Sequence, residues 1–304
     1  MQKRFQIINH TLVETDAEQA PITLYVNPDD VEKRYLIDTL KIDEHTLAST
    51  LDPDELSRLE FEPDHAAVIY KRPRSYSAAD QFLFKVSSVG AFLFKEKLII
   101  VVSEDVPLVE GLHSLRVSTP AEMILRLIYR AILHYREHLK VISAISDDLQ
   151  EKISKSMENR HLLNLFTLQK SLVYYLNSIN SNAALLEKLK LNAIKIGFPT
   201  EEVELLDDIT IENTQCYKQA EIYSNILAGL MDARASVVSN NLNVLMKTLN
   251  IITIAIMVPT FVVSAFSMNV HIPLEDHPYA FIIIMSLALL SVLSFLAFWR
   301  FRKW

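Results

Sequence analysis

Apolar residues change their spacing twice along this 304-residue chain. From about residue 20 to 105 they come in short β-rich runs, Ile22–Val26, Ala66–Tyr70, Gln81–Val86 and Leu98–Val102, and these predict an α/β domain of strands mixed with short helices. At Thr119-Pro120-Ala121-Glu122 the step lengthens to three and four residues. Thr119 reads as a cap, Pro120 as the first helical residue, and Glu122 as the side chain that returns a bond to the cap backbone. Two long antiparallel helices are predicted from there to about Lys195, broken near Glu158-Asn159-Arg160 and closed by Gly197-Phe198-Pro199. A third helix opens with Thr200 as cap and with Glu201, Glu202 and Glu204 in the first turn, where carboxylates suit the positive end of the helix dipole. No proline interrupts it before Pro259, and to about Asn269 it would run on the order of 100 Å at 1.5 Å per residue. That is well over twice a bilayer, so most of it is expected to stand in the cytoplasm as a stalk.

The end of the chain is different again. Stretches 248–274 and 277–299 carry no formal charge, and each exceeds the ~20 residues a helix needs to cross the hydrocarbon core. Two such stretches in tandem, separated by a short polar loop, predict two membrane spans. Arg234 and Lys247 precede the first span, Arg300, Arg302 and Lys303 follow the second, and the loop between has no basic residue. Both termini are therefore expected on the cytoplasmic side of a multi-pass protein. Met1-Gln2-Lys3-Arg4-Phe5 has no apolar run behind its charges, so it does not read as a secretory signal. The single cysteine, Cys216, excludes an internal disulfide, suits a reducing compartment and reads as helix packing.

Charge and glycine content narrow the function. The net charge of −7, with no long basic cluster, argues against a nucleic-acid partner. Only Gly90, Gly111, Gly197 and Gly229 are present, so no glycine-rich loop can cradle a nucleotide and nucleotide-driven pumping is not expected. No Ser-His-Asp, HExxH or Cys-rich constellation supports an enzyme, and no organic cofactor is implied.

The informative pattern is polar. Asn243, Met246, Asn250, Thr253, Met257, Thr260, Ser264 and Ser267 follow at alternating three- and four-residue steps and so share one helix face. Ser239, Ser236 and Asp232 extend the row backwards, while the other faces are Ile, Val, Leu and Phe. Membrane helices do use Ser and Thr to satisfy their own carbonyls and Asn to bind neighbours. A row continuous over many turns must nevertheless face protein or water. Two helices cannot enclose water, so a pore along this row requires a ring of several copies.

These residues match a family. Met231-Asp232-Ala233-Arg234-Ala235-Ser236, Ser239 through Lys247, Pro259-Thr260 and Ser267-Met268-Asn269 resemble the CorA divalent-cation transporters and their zinc-transporting ZntB relatives. The resemblance is strong over 225–304 and extends upstream to Leu56–Phe61, which resembles a family segment leading into a strand. It implies a homopentamer in the lipid bilayer, with a cytoplasmic α/β funnel, a stalk helix continuing as the pore-lining first span, and a second span packed outside. The implied fold class is an α+β membrane protein. Its parts are a cytoplasmic α/β domain over 1–118, a helical pair over 119–197, stalk and first span over 198–269, an outer loop over 270–278, and the second span with a basic tail over 279–304.

By the same resemblance, Asp232, Asn243, Met246, Leu249, Met257 and Thr260 face the pore, and Met246, Leu249 and Met257 are gate candidates that would close it by dewetting. The family signature at the outer mouth is Gly-Met-Asn, and here Ser267 stands in the Gly position. Met268 and Asn269 remain, and a ring of Asn269 amide oxygens would grip the water shell of a cation such as Mg2+, which dehydrates reluctantly. His271, Glu275, Asp276 and His277 in the outer loop would attract cations, and the two imidazoles suit Zn2+ better than Mg2+. A regulatory metal between subunits is also implied. Asp208 matches its stalk carboxylate, but Ala48 and Ser49 stand where the family has an acidic pair, leaving Asp52, Asp54 and Glu55 as substitutes. The expectation is channel-like transport of Mg2+, with Co2+ alongside, across the inner membrane of a bacterium. A ZntB-type Zn2+ transporter and a non-conducting membrane-anchored sensor or scaffold are the alternatives.

Overall fold

The computed structural model describes residues 1–17, 19–77, 80–105, 117–155, 159–268 and 277–302. The chain divides into two compact units, Met1–Met231 and Asp232–Trp304.

The first unit is built on a seven-stranded sheet. Its strands are β1 (Gln2–Ile8), β2 (Thr11–Glu14), β3 (Ile22–Val26), β4 (Arg58–Phe61), β5 (His65–Pro73), β6 (Val86–Phe94) and β7 (Leu98–Val102), in spatial order β2-β1-β3-β7-β6-β5-β4. Only β3 and β7 pair in parallel, and both are buried along their whole length. Alternation sends Leu24, Val26, Ile100 and Val102 into one core and Tyr25, Ile99 and Val101 into another on the opposite face. After α1 (Asp30–Arg34), which buries no residue, the smaller core is closed by the helical turn Tyr35–Thr39, the segment that follows it and α2 (Glu44–Leu51), through Leu36, Ile42 and Leu47.

The larger core lies under α3 (Pro120–Lys155) and α4 (Asn159–Leu191). Thr119 caps α3 as expected, its hydroxyl accepting from Glu122 N at 2.9 Å. The Glu122 carboxylate accepts from Ser118 N at 2.7 Å, one residue earlier than a capping box places the donor. Where β4 ends, α4 takes over its pairing role. The Asn182 side chain accepts from Lys71 N and donates to Lys71 O, both at 2.8 Å, so one amide satisfies the open edge of β5. A short helix, α5 (Ala193–Ile196), ends at Gly197 in the left-handed region with φ 91°, the conformation that glycine adopts without strain.

Helix α6 runs unbroken from Thr200 to Ala265 over 66 residues. Thr200 is its first residue rather than its cap; the Pro199 carbonyl receives the opening bonds from Glu202 and Val203. Glu202 is buried instead of presenting its charge to solvent. Burial pushes its pKa up, and Thr119 Oγ1 donates to it at 2.8 Å, pinning α6 to the start of α3. The C-terminal part of α6 and α7 (Ala280–Arg302) make the second unit, and both helices are long and apolar enough to cross a membrane.

The β-rich run Gln81–Val86 is not a strand. Gln81 and Phe82 have φ of 47° and 69°, a turn that only then delivers the chain to β6 at Val86. Upstream of the first expected strand, β1 and β2 form a hairpin across Asn9 and His10, both at positive φ.

Candidate ion-conduction site

Within the second unit, α6 has two unlike faces. Ile251, Ala255, Val258, Pro259, Val262 and Phe266 are half-buried. On α7 the matching face is Ile283, Ile284, Ser291, Val292 and Phe295 around Ala288, which is only 5% exposed. Among the described residues of this unit α6 alone is available to cover Ala288, and a small residue there lets the two backbones approach. The residues singled out by the polar row, Asp232, Asn243, Met246, Asn250, Thr253, Met257, Thr260, Ser264 and Ser267, and by the resemblance, Leu249 and Met268, are all exposed. At about 100° per residue the row and the half-buried face centre roughly half a turn apart. From Thr253 to Ser267 the row thus looks away from the helix that covers the other side.

Four hydroxyls of the row spend their protons inward. Thr253 Oγ1 donates to Leu249 O at 2.9 Å, Thr260 Oγ1 to Ile256 O at 2.7 Å, and Ser267 Oγ to Ser264 O at 2.9 Å. Ser236 does the same to Asp232 O at 3.1 Å. Once the proton is committed to a carbonyl, the oxygen offers only lone pairs outward. These four oxygens therefore face outward as acceptors, the chemistry that a cation's water shell requires, and the Asn243 and Asn250 amides add carbonyl oxygens beside their N–H donors. Before Thr253 the row turns toward α7 instead: Asn243, Met246 and Asn250 border a groove of about 590 Å³ whose other wall is Phe295, Phe298 and Trp299 of α7. The polar row alone did not signal that groove, although the aromatic residues at 295, 298 and 299 share a helix face.

Asn269, His271, Glu275 and Asp276 lie outside the described residues. His277 is exposed, and its Nδ1 accepts from Tyr279 N at 3.2 Å.

In the first unit Asp208 is exposed on α6. Ala48 is exposed, whereas Ser49 is buried in a network that the sequence did not signal. Arg58 reaches it: Nη2 donates to Ser49 Oγ at 3.1 Å, Nη1 pairs with Glu55 at 2.5 Å and Nε with Glu60 at 2.8 Å. The guanidinium is the resident cation of a groove of about 790 Å³ that also holds Asp43, His45 and Glu62. Glu55 is thereby committed. Asp52 accepts from Asp54 N at 2.8 Å, and both stay exposed. Among the described residues no group of three or more His, Cys, Asp or Glu is placed to hold a metal ion.

The family model described as CorA-like Mg2+ transporter protein matches residues 24–303, so the chain belongs to the CorA-like divalent-cation transporter family. It is 24% identical over 292 residues to the cobalt/magnesium transport protein CorA of Methanocaldococcus jannaschii, covering 91% of this chain and 89% of that one. The complete structure of a CorA magnesium transporter from the same organism superposes with a TM-score of 0.84 at 22% identity, covering 98% of this chain and 96% of that one. The full-length CmaX protein follows at 0.74 and 16%, covering 99% and 96%. The ZntB cytoplasmic domain from Vibrio parahaemolyticus gives 0.60 at 12%, covering 78% and 98%. These structural likenesses establish the fold.

Proposed function

We propose that the chain assembles as a homopentamer that conducts divalent cations passively, Mg2+ first and Co2+ alongside, across the inner membrane of a bacterium with both termini in the cytoplasm. The observation that carries this reading is the exposed row of oxygen acceptors on α6, set opposite the face that α7 covers. Left facing lipid, such a row is costly; around a ring axis it lines water. The membrane potential supplies about 2.3 kcal/mol per charge per 100 mV, twice that for a divalent ion, so no nucleotide is needed. Asp232, Asn243, Asn250, Thr253, Thr260 and Ser264 would line the path, Met246, Leu249 and Met257 would narrow it, and Ser267, Met268 and Asn269 would form its mouth. Mg2+ is favoured because the row presents oxygen and amide groups rather than imidazole or thiolate.

Reconstituted liposomes loaded with Mg2+- or Zn2+-sensitive dyes, with and without a pH gradient, test this. Mg2+ entry that follows membrane potential and ignores the pH gradient is expected. Zn2+ entry that requires the gradient would establish the ZntB-type alternative, and no flux of either ion would leave a sensor or scaffold. Two outcomes accompany it. Mass measurement in detergent should give five subunits, and a stable monomer or dimer would defeat the ring. Asn269→Ala should abolish flux with assembly intact, and unchanged flux would remove that amide from the mechanism.

A further inference from the structure

A second polar site lies in the first unit, on the face of the sheet covered by α3. Tyr70 and Arg72 of β5, Ser75 just beyond it, and Arg130, His134 and Glu137 of α3 surround a cavity of about 340 Å³. Arg72 is 7% exposed, and its Nη1 is buried without a hydrogen-bond partner; the buried hydroxyl of Tyr70 is likewise unpartnered. Nε donates only to the neighbouring Pro73 O, at 3.2 Å. A guanidinium desolvated this far is costly unless an anion or several acceptors meet it.

Charges of both signs surround it. Arg130 lies close enough to Arg72 to oppose its charge, and Tyr70, Tyr135 and Glu104 act the other way. Arg74 holds Glu104 Oε2 at 2.6 Å, and Glu104 Oε1 is buried without a hydrogen-bond partner. Glu137 is exposed at the rim, where water screens it. Burial, with His138, Arg72 and Arg130 nearby, pushes the His134 imidazole down to about 4, so at neutral pH it is an uncharged hydrogen-bonding wall. The remaining lining is apolar, Leu127, Ala131 and Leu133 of α3.

We propose that this cavity binds a small phosphate monoester, its oxyanion held by Arg72 and Arg130 with Tyr70 and Ser75 as hydroxyl partners and its organic part against the apolar α3 wall. Paired guanidinium groups suit phosphate because each can give two parallel N–H bonds to adjacent oxygens. The volume falls within the usual range for small-molecule sites, and it exceeds what a bare phosphate fills.

Calorimetric titration of the full-length protein in detergent, at fixed ionic strength with chloride as balancing ion, decides it. The probes are inorganic phosphate, AMP as a phosphate monoester, and adenosine. Saturable AMP binding is expected, with phosphate weaker and adenosine silent. Phosphate as tight as AMP would keep the oxyanion site but assign it to the free ion. Arg130→Gln, on a half-buried side chain, should weaken AMP at least about tenfold, the cost of losing a charge-assisted bond, in a protein whose melting shows it folded. Arg72→Gln should do the same where its melting shows it folded, and Lys152→Gln, remote on α3, should bind as the native protein does. No saturable binding of either phosphate probe, adenosine binding equal to AMP, or Arg130→Gln binding like the native protein would each overturn the site.

Discussion

His138 is 8% exposed, and its Nδ1 lies 2.6 Å from the Tyr175 hydroxyl, which is itself fully buried. Burial, with Arg72 nearby, pushes the imidazole down from 6.5 to about 4, so at neutral pH the ring is uncharged and accepts the Tyr175 proton. The direction of the pH effect follows. An unfolded chain takes up a proton near 6.5 and the folded chain only near 4, so the stability held above 6.5 is lost as pH falls through that window. Up to about 3 kcal/mol is at stake for this group. Thermal melting from pH 7 to 4 should therefore show a falling midpoint, and His138→Gln, which keeps an acceptor, should flatten the slope; an unchanged slope would assign the acid sensitivity to other groups. A histidine at helical spacing gave no hint of this, because its state depends on Tyr175, 37 residues away. Cys216 was legible as packing, since its neighbours on the helix already form an apolar face. It is buried, and burial pushes the thiol up to about 12.

Elements with continuous apolar runs were read correctly because burial on both faces leaves no other solution: Ile22–Val26 and Leu98–Val102 are strands over those same residues. Turn chemistry hid the rest. Asn9-His10 makes a hairpin turn with positive φ at both positions, but without glycine it lacks the usual signal, and β1 and β2 went unread. Gln81-Phe82 carries an apolar residue into a turn and so imitated a strand. Gly90 is a third case, where the requirement comes from packing. A Cβ there would stand 2.1 Å from Thr50 Cγ2 and 2.7 Å from Thr50 Cβ, and Thr50 is fully buried in α2. Gly90→Ala should force α2 off β6 and cost about 1–3 kcal/mol, seen as a lowered melting temperature. Thr50→Ser in the same chain removes the nearer methyl and should recover part of the loss; no loss in the single variant would mean α2 yields freely. The polar row was legible for the opposite reason: in an apolar span every polar residue stands out, whereas the covering face of Ile251, Ala255 and Val258 looks like any other apolar surface.

For the whole molecule, the two membrane-suited helices and the α/β unit were legible from charge and periodicity, and regulation was the part least so. The resemblance to the family implies a regulatory metal bridging carboxylates of adjacent subunits, one contributed by Asp208. The opposing side in this chain is Ser49, buried beneath Arg58, and that guanidinium already neutralises Glu55 and Glu60. A divalent ion entering there would compete with a covalently attached cation that loses no translational freedom on binding. Asp52 and Asp54 are the exposed carboxylates left nearby, and Asp52 already accepts the Asp54 amide. With little charge repulsion for the ion to relieve, closure by cytoplasmic Mg2+ should be weak. Asp208→Asn should then change the Mg2+ concentration for half-inhibition of flux by less than about threefold, whereas losing a ligand from an intact carboxylate site strips a hard cation of much of its affinity. Arg58→Gln, which frees Glu55 and Glu60, should move the other way and strengthen inhibition, provided its melting shows the unit folded. Flux into liposomes at rising cytoplasmic-side Mg2+ reads both. Strong native inhibition that vanishes in Asp208→Asn would show that Asp52 or Asp54 completes the bridge despite Arg58.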